Sequence, residues 1–196
     1  MDLFLQIWGA VFYLSNKVFF ALSVGREALL KQWLQMAAWI VYLLGVPAWV
    51  AVLLGHNNWI AASIEAGGVP AMLLGLYNAF KGAVQTHKTL NALVSLCTYA
   101  SLGFGLFYSL NHHGGIVSLS QVLEMGVMIG FLMGSYLLAK HRDQGWLFFM
   151  LMNVSMAALM ILQDKPILMG QQLASLCFVV YGYTKTRHEP HALSDH

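Results

Sequence analysis

The chain has 196 residues, of which 59% are apolar and only 9% are Asp, Glu, Lys or Arg, with a formal net charge of +2. Soluble domains carry roughly 25% charged residues, so a mean hydropathy of +0.66 excludes a water-soluble fold. The small positive balance gives no case for a nucleic-acid partner.

In chain order, apolar segments run over 3–24, 33–55, 59–80, 89–110, 119–139, 146–162 and 167–184. Each approaches the roughly 20 helical residues that cross about 30 Å of hydrocarbon. None alternates with period two, which excludes a barrel and predicts an all-α integral membrane protein with seven transmembrane helices. The first segment lacks a basic n-region and a small-residue cleavage site before residue 25, so it is expected to be retained as a span. It carries one internal charge, Lys17. Pro47 interrupts the second segment and Gly67-Gly68-x-Pro70 the third, and such sites either hinge or simply kink.

The basic residues fall in every second gap: Arg26 and Lys31, Lys81 and Lys88, Lys140 and Arg142, Lys185 and Arg187. The intervening gaps 56–58 and 111–118 contain none, and 163–166 contains only Lys165. The positive-inside rule therefore places the N-terminus outside and the C-terminus in the cytoplasm. Joints this short leave no room for a soluble catalytic domain, so any chemistry is expected within the membrane. The central segment 89–110 divides residues 1–80 from 119–184, with 185–196 as a short cytoplasmic tail. This 3+1+3 arrangement suits two parallel three-helix bundles, because three spans invert the chain and one more restores its direction. An offset of 107 residues supports the repeat weakly, placing Trp146 on Trp39, Gln172 on Glu65 and Gly182 on Gly75.

A charge inside lipid costs roughly 2.5–3.5 kcal/mol on insertion scales, so each buried polar residue calls for an account. Trp146, Phe149 and Asn153 lie at i, i+3 and i+7 on one face of the sixth helix. An aromatic pair ending in an amide can stack a flat ring and hydrogen-bond its edge; the alternative is interfacial packing with an interhelical amide contact. Trp39 joins them through the repeat. Glu65, Gln171 and Gln172 approach from the outer side, and Lys17 is the expected ion-pair partner of Glu65 or Glu124. Tyr77 and Asn78, close to Lys81, read as interfacial. Cys97 and Cys177 fall inside spans and read as small apolar side chains. Methionines such as Met150, Met152, Met156 and Met160 lack repeated close spacing, and His112-His113 has no further ligands nearby. No metal, cofactor or enzymatic activity is expected.

The basic loop Lys140-His141-Arg142-Asp143-Gln144-Gly145, the following Trp146, Phe149 and Asn153, and the outer turn Gln163-Asp164-Lys165-Pro166 form one pattern. Tyr181-Gly182-Tyr183 before basic residues and Gly75-Leu76-Tyr77-Asn78-Ala79-Phe80 complete it. This pattern resembles the PnuC family of bacterial vitamin transporters, moderately over the last 70 or so residues and loosely over most of the chain. The resemblance implies a 3+1+3 carrier related to the SWEET transporters, a homotrimer in the bacterial inner membrane, and nicotinamide riboside trapped by a cytosolic kinase. It makes Trp146 and Asn153 substrate contacts. Phe149 departs from the family's second Trp, which leaves thiamine, riboflavin or deoxynucleosides as other cargoes. A non-transporting membrane assembly partner is the reading from another class. The orientation has a direct check in a background with Cys97 and Cys177 replaced by serine. A cysteine at Arg142 is expected to be labelled only from the cytoplasmic side, and one at Asn111 only from outside; the reverse pattern overturns the topology.

Overall fold

The computed structural model describes residues 2–55, 59–82, 88–164 and 166–188, and all regular structure there is α-helix. The elements are α1 (Asp2–Ser23), α2 (Ala28–Gly55), α3 (Trp59–Gly67), α4 (Val69–Lys81), α5 (Lys88–His113), α6 (Leu119–Ala139), α7 (Gln144–Leu162) and α8 (Pro166–His188). The third apolar segment is thus two helices, because Gly68 and Pro70 end one and start the next. The Gly68 N–H donates to the Glu65 carbonyl at 3.2 Å, closing α3 one residue short, while the Met72 N–H donates to the Gly68 carbonyl at 3.1 Å to open α4. Pro70 sits in the first turn of α4, where a missing N–H leaves no helical bond unmade.

Among the described residues, Ala28–Ala51, Lys88–Asn111, Leu119–Ala139 and Gln144–Leu162 are long and apolar enough to cross a membrane, and Ile7–Ser23 is a shorter apolar stretch. Four of the seven expected spans thus meet that length and hydropathy among the described residues. The break leaves helices of 9 and 13 residues, and α8 carries Gln171, Gln172 and a basic last turn of Lys185, Arg187 and His188.

Helix contacts close into a ring: α1 packs on α2, α2 on α4, α4 on α6, α6 on α7, α7 on α8, and α8 back on α1. The helix α5 lies outside this ring against α3, α4 and α6. Side-chain amides cross both seams between the first and last groups of helices. Asn78 donates to the Ala139 carbonyl at 2.7 Å between α4 and α6, and Gln171 donates to the Ala10 carbonyl at 3.3 Å between α8 and α1. Asn78 is therefore buried between helices, not interfacial as its nearness to Lys81 suggests. With few apolar gains available from helix contact in lipid, such bonds and close packing are what hold helices together.

One packing unit occurs twice. Trp39 of α2 lies flat against Gly75 of α4, and Trp146 of α7 against Gly182 of α8, the same pairs related by the 107-residue offset. A side chain at either glycine would enter the indole.

The two ends of α6 are firmly capped. At its start Ser118 accepts the Gln121 N–H at 3.1 Å. The buried Gln121 side chain donates to the Ser109 and Gly115 carbonyls at 3.1 and 3.0 Å and accepts from the Val117 N–H at 3.0 Å. At its end His141 adopts a left-handed φ of 54°. There the Arg142 N–H reaches the Leu137 carbonyl at 2.9 Å and the His141 N–H the Leu138 carbonyl at 3.0 Å, a left-handed cap that satisfies the last carbonyls.

The Trp–Gly packing yields a mutational contrast. At Gly182 a Cβ would lie 2.6 Å from Cη2 of Trp146, whereas at Gly103 it meets nothing within 4 Å. Gly182→Ala is expected to lower stability by about 1–3 kcal/mol through overpacking. Gly103→Ala should be neutral or stabilising by helix propensity. Thermal melting in detergent separates them, and equal melting of the two variants would show that the indole is free to shift.

Candidate functional site

The interior of the ring is lined by side chains set at helical spacing. From α1 come Tyr13, Asn16, Lys17 and Phe20, at i, i+3, i+4 and i+7 on one face. From α2 come Trp39 and Tyr42, and from α7 Trp146, Phe149 and Asn153, with the same spacing from the tryptophan to the second ring. From α6 come Phe131 and Ser135, one turn apart. Apart from the partly exposed Tyr13, all of these are buried.

The rings form a connected set. Phe20 meets Trp39 edge-on at 4.9 Å between centroids and Trp146 at 6.4 Å, bridging the two tryptophans. Tyr42 lies 6.3 Å from Trp39, 6.1 Å from Phe131 and 6.4 Å from Phe149, so it joins α2 to α6 and α7. Its hydroxyl accepts from Ser135 at 3.4 Å, and Tyr13 meets its edge at 4.9 Å.

In the middle of this set lies the Lys17 amine. Its Nζ sits 3.3 Å from the Phe149 ring centroid and 4.7 Å from that of Tyr42. It is buried and makes no hydrogen bond. The ion pair with Glu65 or Glu124 that its position in α1 suggests does not form; Glu124 is exposed on α6, and rings surround the amine instead. A desolvated cation over aromatic faces gains about 2 kcal/mol, against roughly 2.5–3.5 kcal/mol for a lysine at mid-bilayer. The rings thus offset much of the insertion cost but supply none of the hydrogen bonds an ammonium's donors require.

Two fully buried amides share this interior with one acceptor each unused. The Asn153 Nδ2 donates to its own helix at the Phe149 carbonyl, 2.7 Å away, and the Asn16 Nδ2 donates to the Ala38 carbonyl at 3.0 Å. Both Oδ1 atoms, and the Tyr13 hydroxyl, have no partner. The large majority of buried side-chain polar atoms are paired, and among the described residues the Lys17 amine, the Tyr13 hydroxyl and these two Oδ1 atoms are exceptions.

Of the residues singled out from sequence, Trp39, Trp146, Phe149 and Asn153 are brought into this interior. Gln171 serves the α8–α1 seam, and Gln172 beside it is half-buried on α8. Glu65 stands on α3, whose neighbours are α2, α4, α5 and α6, and its Oε1 is buried without a hydrogen bond. Phe20 and Tyr42 escaped notice because a lone aromatic in an apolar run looks like any other; Tyr42 was legible, since the 107-residue offset puts it on Phe149. Outside the ring, a cleft of about 230 Å³ between α3 and α5 is lined by Ser63, Ile64, Ala100, Ser101 and Phe104. Among the described residues no three His, Cys, Asp or Glu side chains converge as metal ligands, and Cys97 and Cys177 are free thiols.

Comparison with family models, with characterised proteins and with solved structures found no match to this chain.

The unpartnered amine has a consequence for stability. Replacing even a buried ion pair by apolar residues of similar volume is often stabilising by about 1–4 kcal/mol, and the Lys17 amine has no hydrogen-bond partner to lose. Lys17→Met is therefore expected to raise the melting temperature of the purified protein. A clear fall would mean that the amine contributes net stability through its ring contacts.

Proposed function

We propose that the chain is a membrane carrier for a small flat-ring vitamin, built as two parallel three-helix groups with α5 between them in sequence. The observation that carries this reading is the shared interior: Trp39 and Tyr42 from one group and Trp146, Phe149 and Asn153 from the other converge on one aromatic, amide-bearing centre. A flat solute could exchange its own ring for the ring–ring contacts there, and its edge would meet the unused Asn153 Oδ1. The duplicated Trp–Gly packing supports two equivalent units, and rocking of one against the other would open the centre to each side in turn. Binding biases that equilibrium only through different affinities for the two states.

On the PnuC-like reading, the carrier is a homotrimer in a bacterial inner membrane, oriented with its N-terminus outside, and a cytosolic kinase traps the imported vitamin. Nicotinamide riboside is the first candidate cargo and thiamine the second. Glu65, Gln171 and Gln172 would line the outer approach.

A non-transporting assembly partner remains the second reading, favoured by one observation: the centre is filled by the protein's own side chains, Lys17 included. It predicts no saturable ligand. Uptake of labelled vitamins into proteoliposomes distinguishes the two. The carrier reading expects saturable uptake that Trp146→Ala and Asn153→Ala each reduce at least tenfold, with both variants still folded by size exclusion. Uptake at the unaltered rate in both would remove the site assignment, and absence of uptake for the whole panel would favour the partner reading.

A further inference from the structure

Lys17 occupies the position that a positively charged ring would take. Its Nζ lies 3.3 Å from the centroid of Phe149 and 4.7 Å from that of Tyr42, so two of the faces that could attract an external cation already hold an internal one. A second cation admitted beside it would be repelled at close range in a medium that screens charge poorly. What the amine lacks is acceptors. It is buried, it donates no hydrogen bond, and the aromatic set around it contains no carboxylate. The nearest polar neighbour in sequence, Asn16, already commits its Nδ2 to the Ala38 carbonyl and keeps an unused Oδ1. An ionisable side chain left unpaired inside a helical bundle marks a ligand pathway more often than a structural contact.

We propose that Lys17 is a charge-selecting residue of the central site, and that the solute it suits is a flat heteroaromatic ring bearing a carboxylate. This rests on the carrier reading above and reverses its order of cargo, moving the cationic vitamins from first place to last. The carboxylate accepts from the Lys17 ammonium, supplying both the missing counter-charge and the missing hydrogen bonds, a pairing roughly twice as strong as a neutral one. The ring lies among Tyr42, Phe149 and Trp146, and donors on its far edge reach the free Oδ1 of Asn153. A ring carrying a fixed positive charge, such as nicotinamide riboside or thiamine, gains the stacking but must displace or repel the amine. Selection then follows the general rule that discrimination is built from a repulsive element as well as an attractive one.

The test uses the full-length protein in detergent and in proteoliposomes, with probes that share one ring. These are pyridine-3-carboxylate, its uncharged carboxamide, and the positively charged carboxamide riboside, each measured by thermal shift and by competition for uptake. The expected order is carboxylate first, the carboxamide at least tenfold weaker, and the cationic riboside weakest. Lys17→Gln is expected to weaken the carboxylate tenfold or more and bring carboxylate and carboxamide within about threefold of each other, while Lys17→Arg keeps the carboxylate ahead. Binding of the carboxamide or the riboside as tight as that of the carboxylate in the unaltered protein overturns the proposal and leaves the carrier reading standing. A carboxylate preference that survives Lys17→Gln overturns it too. Failure of every ring compound to bind overturns both readings together. The ranking in the unaltered protein decides the matter even if a Lys17 variant does not fold.

Discussion

One interaction organises the interior: a buried primary amine held against the faces of Phe149 and Tyr42 without a single hydrogen bond. It joins α1 to α7 across the ring, so it links the two ends of the chain rather than neighbours in sequence. Each surrounding feature is arranged in relation to it. The amine must be desolvated for the rings to compensate it, and it is buried together with Phe20, Trp39, Phe131 and Trp146, which contact one another or Tyr42. Those rings in turn pack only because Gly75 and Gly182 have no side chains where the indoles lie. The amide acceptors of Asn16 and Asn153 remain unused in the same space, so the centre is tightly packed yet far from satisfied.

The seams of the ring show the opposite character. Both seams of the ring are closed by side-chain amides on backbone carbonyls, Asn78 on Ala139 and Gln171 on Ala10, with donors and acceptors matched. Gln32 adds a third such contact at the Phe80 carbonyl, 2.9 Å away, between α2 and α4. The aliphatic and aromatic side chains that face outward, among them Leu93, Leu96 and Phe107 of α5, are compatible with a helix lying in lipid.

Much of this was legible in the amino-acid order. Long apolar runs separated by short gaps predicted helices wherever the structure has them, and the i, i+3, i+7 spacing sets Trp146, Phe149 and Asn153 on one face of α7, where all three are buried. The glycine-proline signal at 67–70 marked the interruption, though it reads as a kink and proves to be a full break, since Gly68 caps one helix and starts another. Lys17 was the residue read least well. A charge in an apolar run suggests an opposite charge opposite it, and nothing in one dimension reveals that aromatic faces stand there instead. Asn78 misled for a related reason: proximity to Lys81 along the chain says nothing about which face of α4 the amide occupies, and that face meets α6. Seam contacts such as Gln171 with Ala10 join residues 161 apart and leave no periodic trace.

The helix α6 is pinned at both extremities, by the Gln121 side chain fastening the preceding loop and by the left-handed turn at His141 leading into α7. The third segment of the first half has a joint that α8, which the 107-residue offset sets against it, lacks: between α3 and α4 the Gly68 N–H reaches the Glu65 carbonyl at 3.2 Å and the next helical bond starts at the Gly68 carbonyl. Compliance is accordingly lopsided. Helices α6 to α8 each run unbroken, whereas the segment over α3 and α4 is jointed, so bending of the bundle concentrates at the Gly68 elbow.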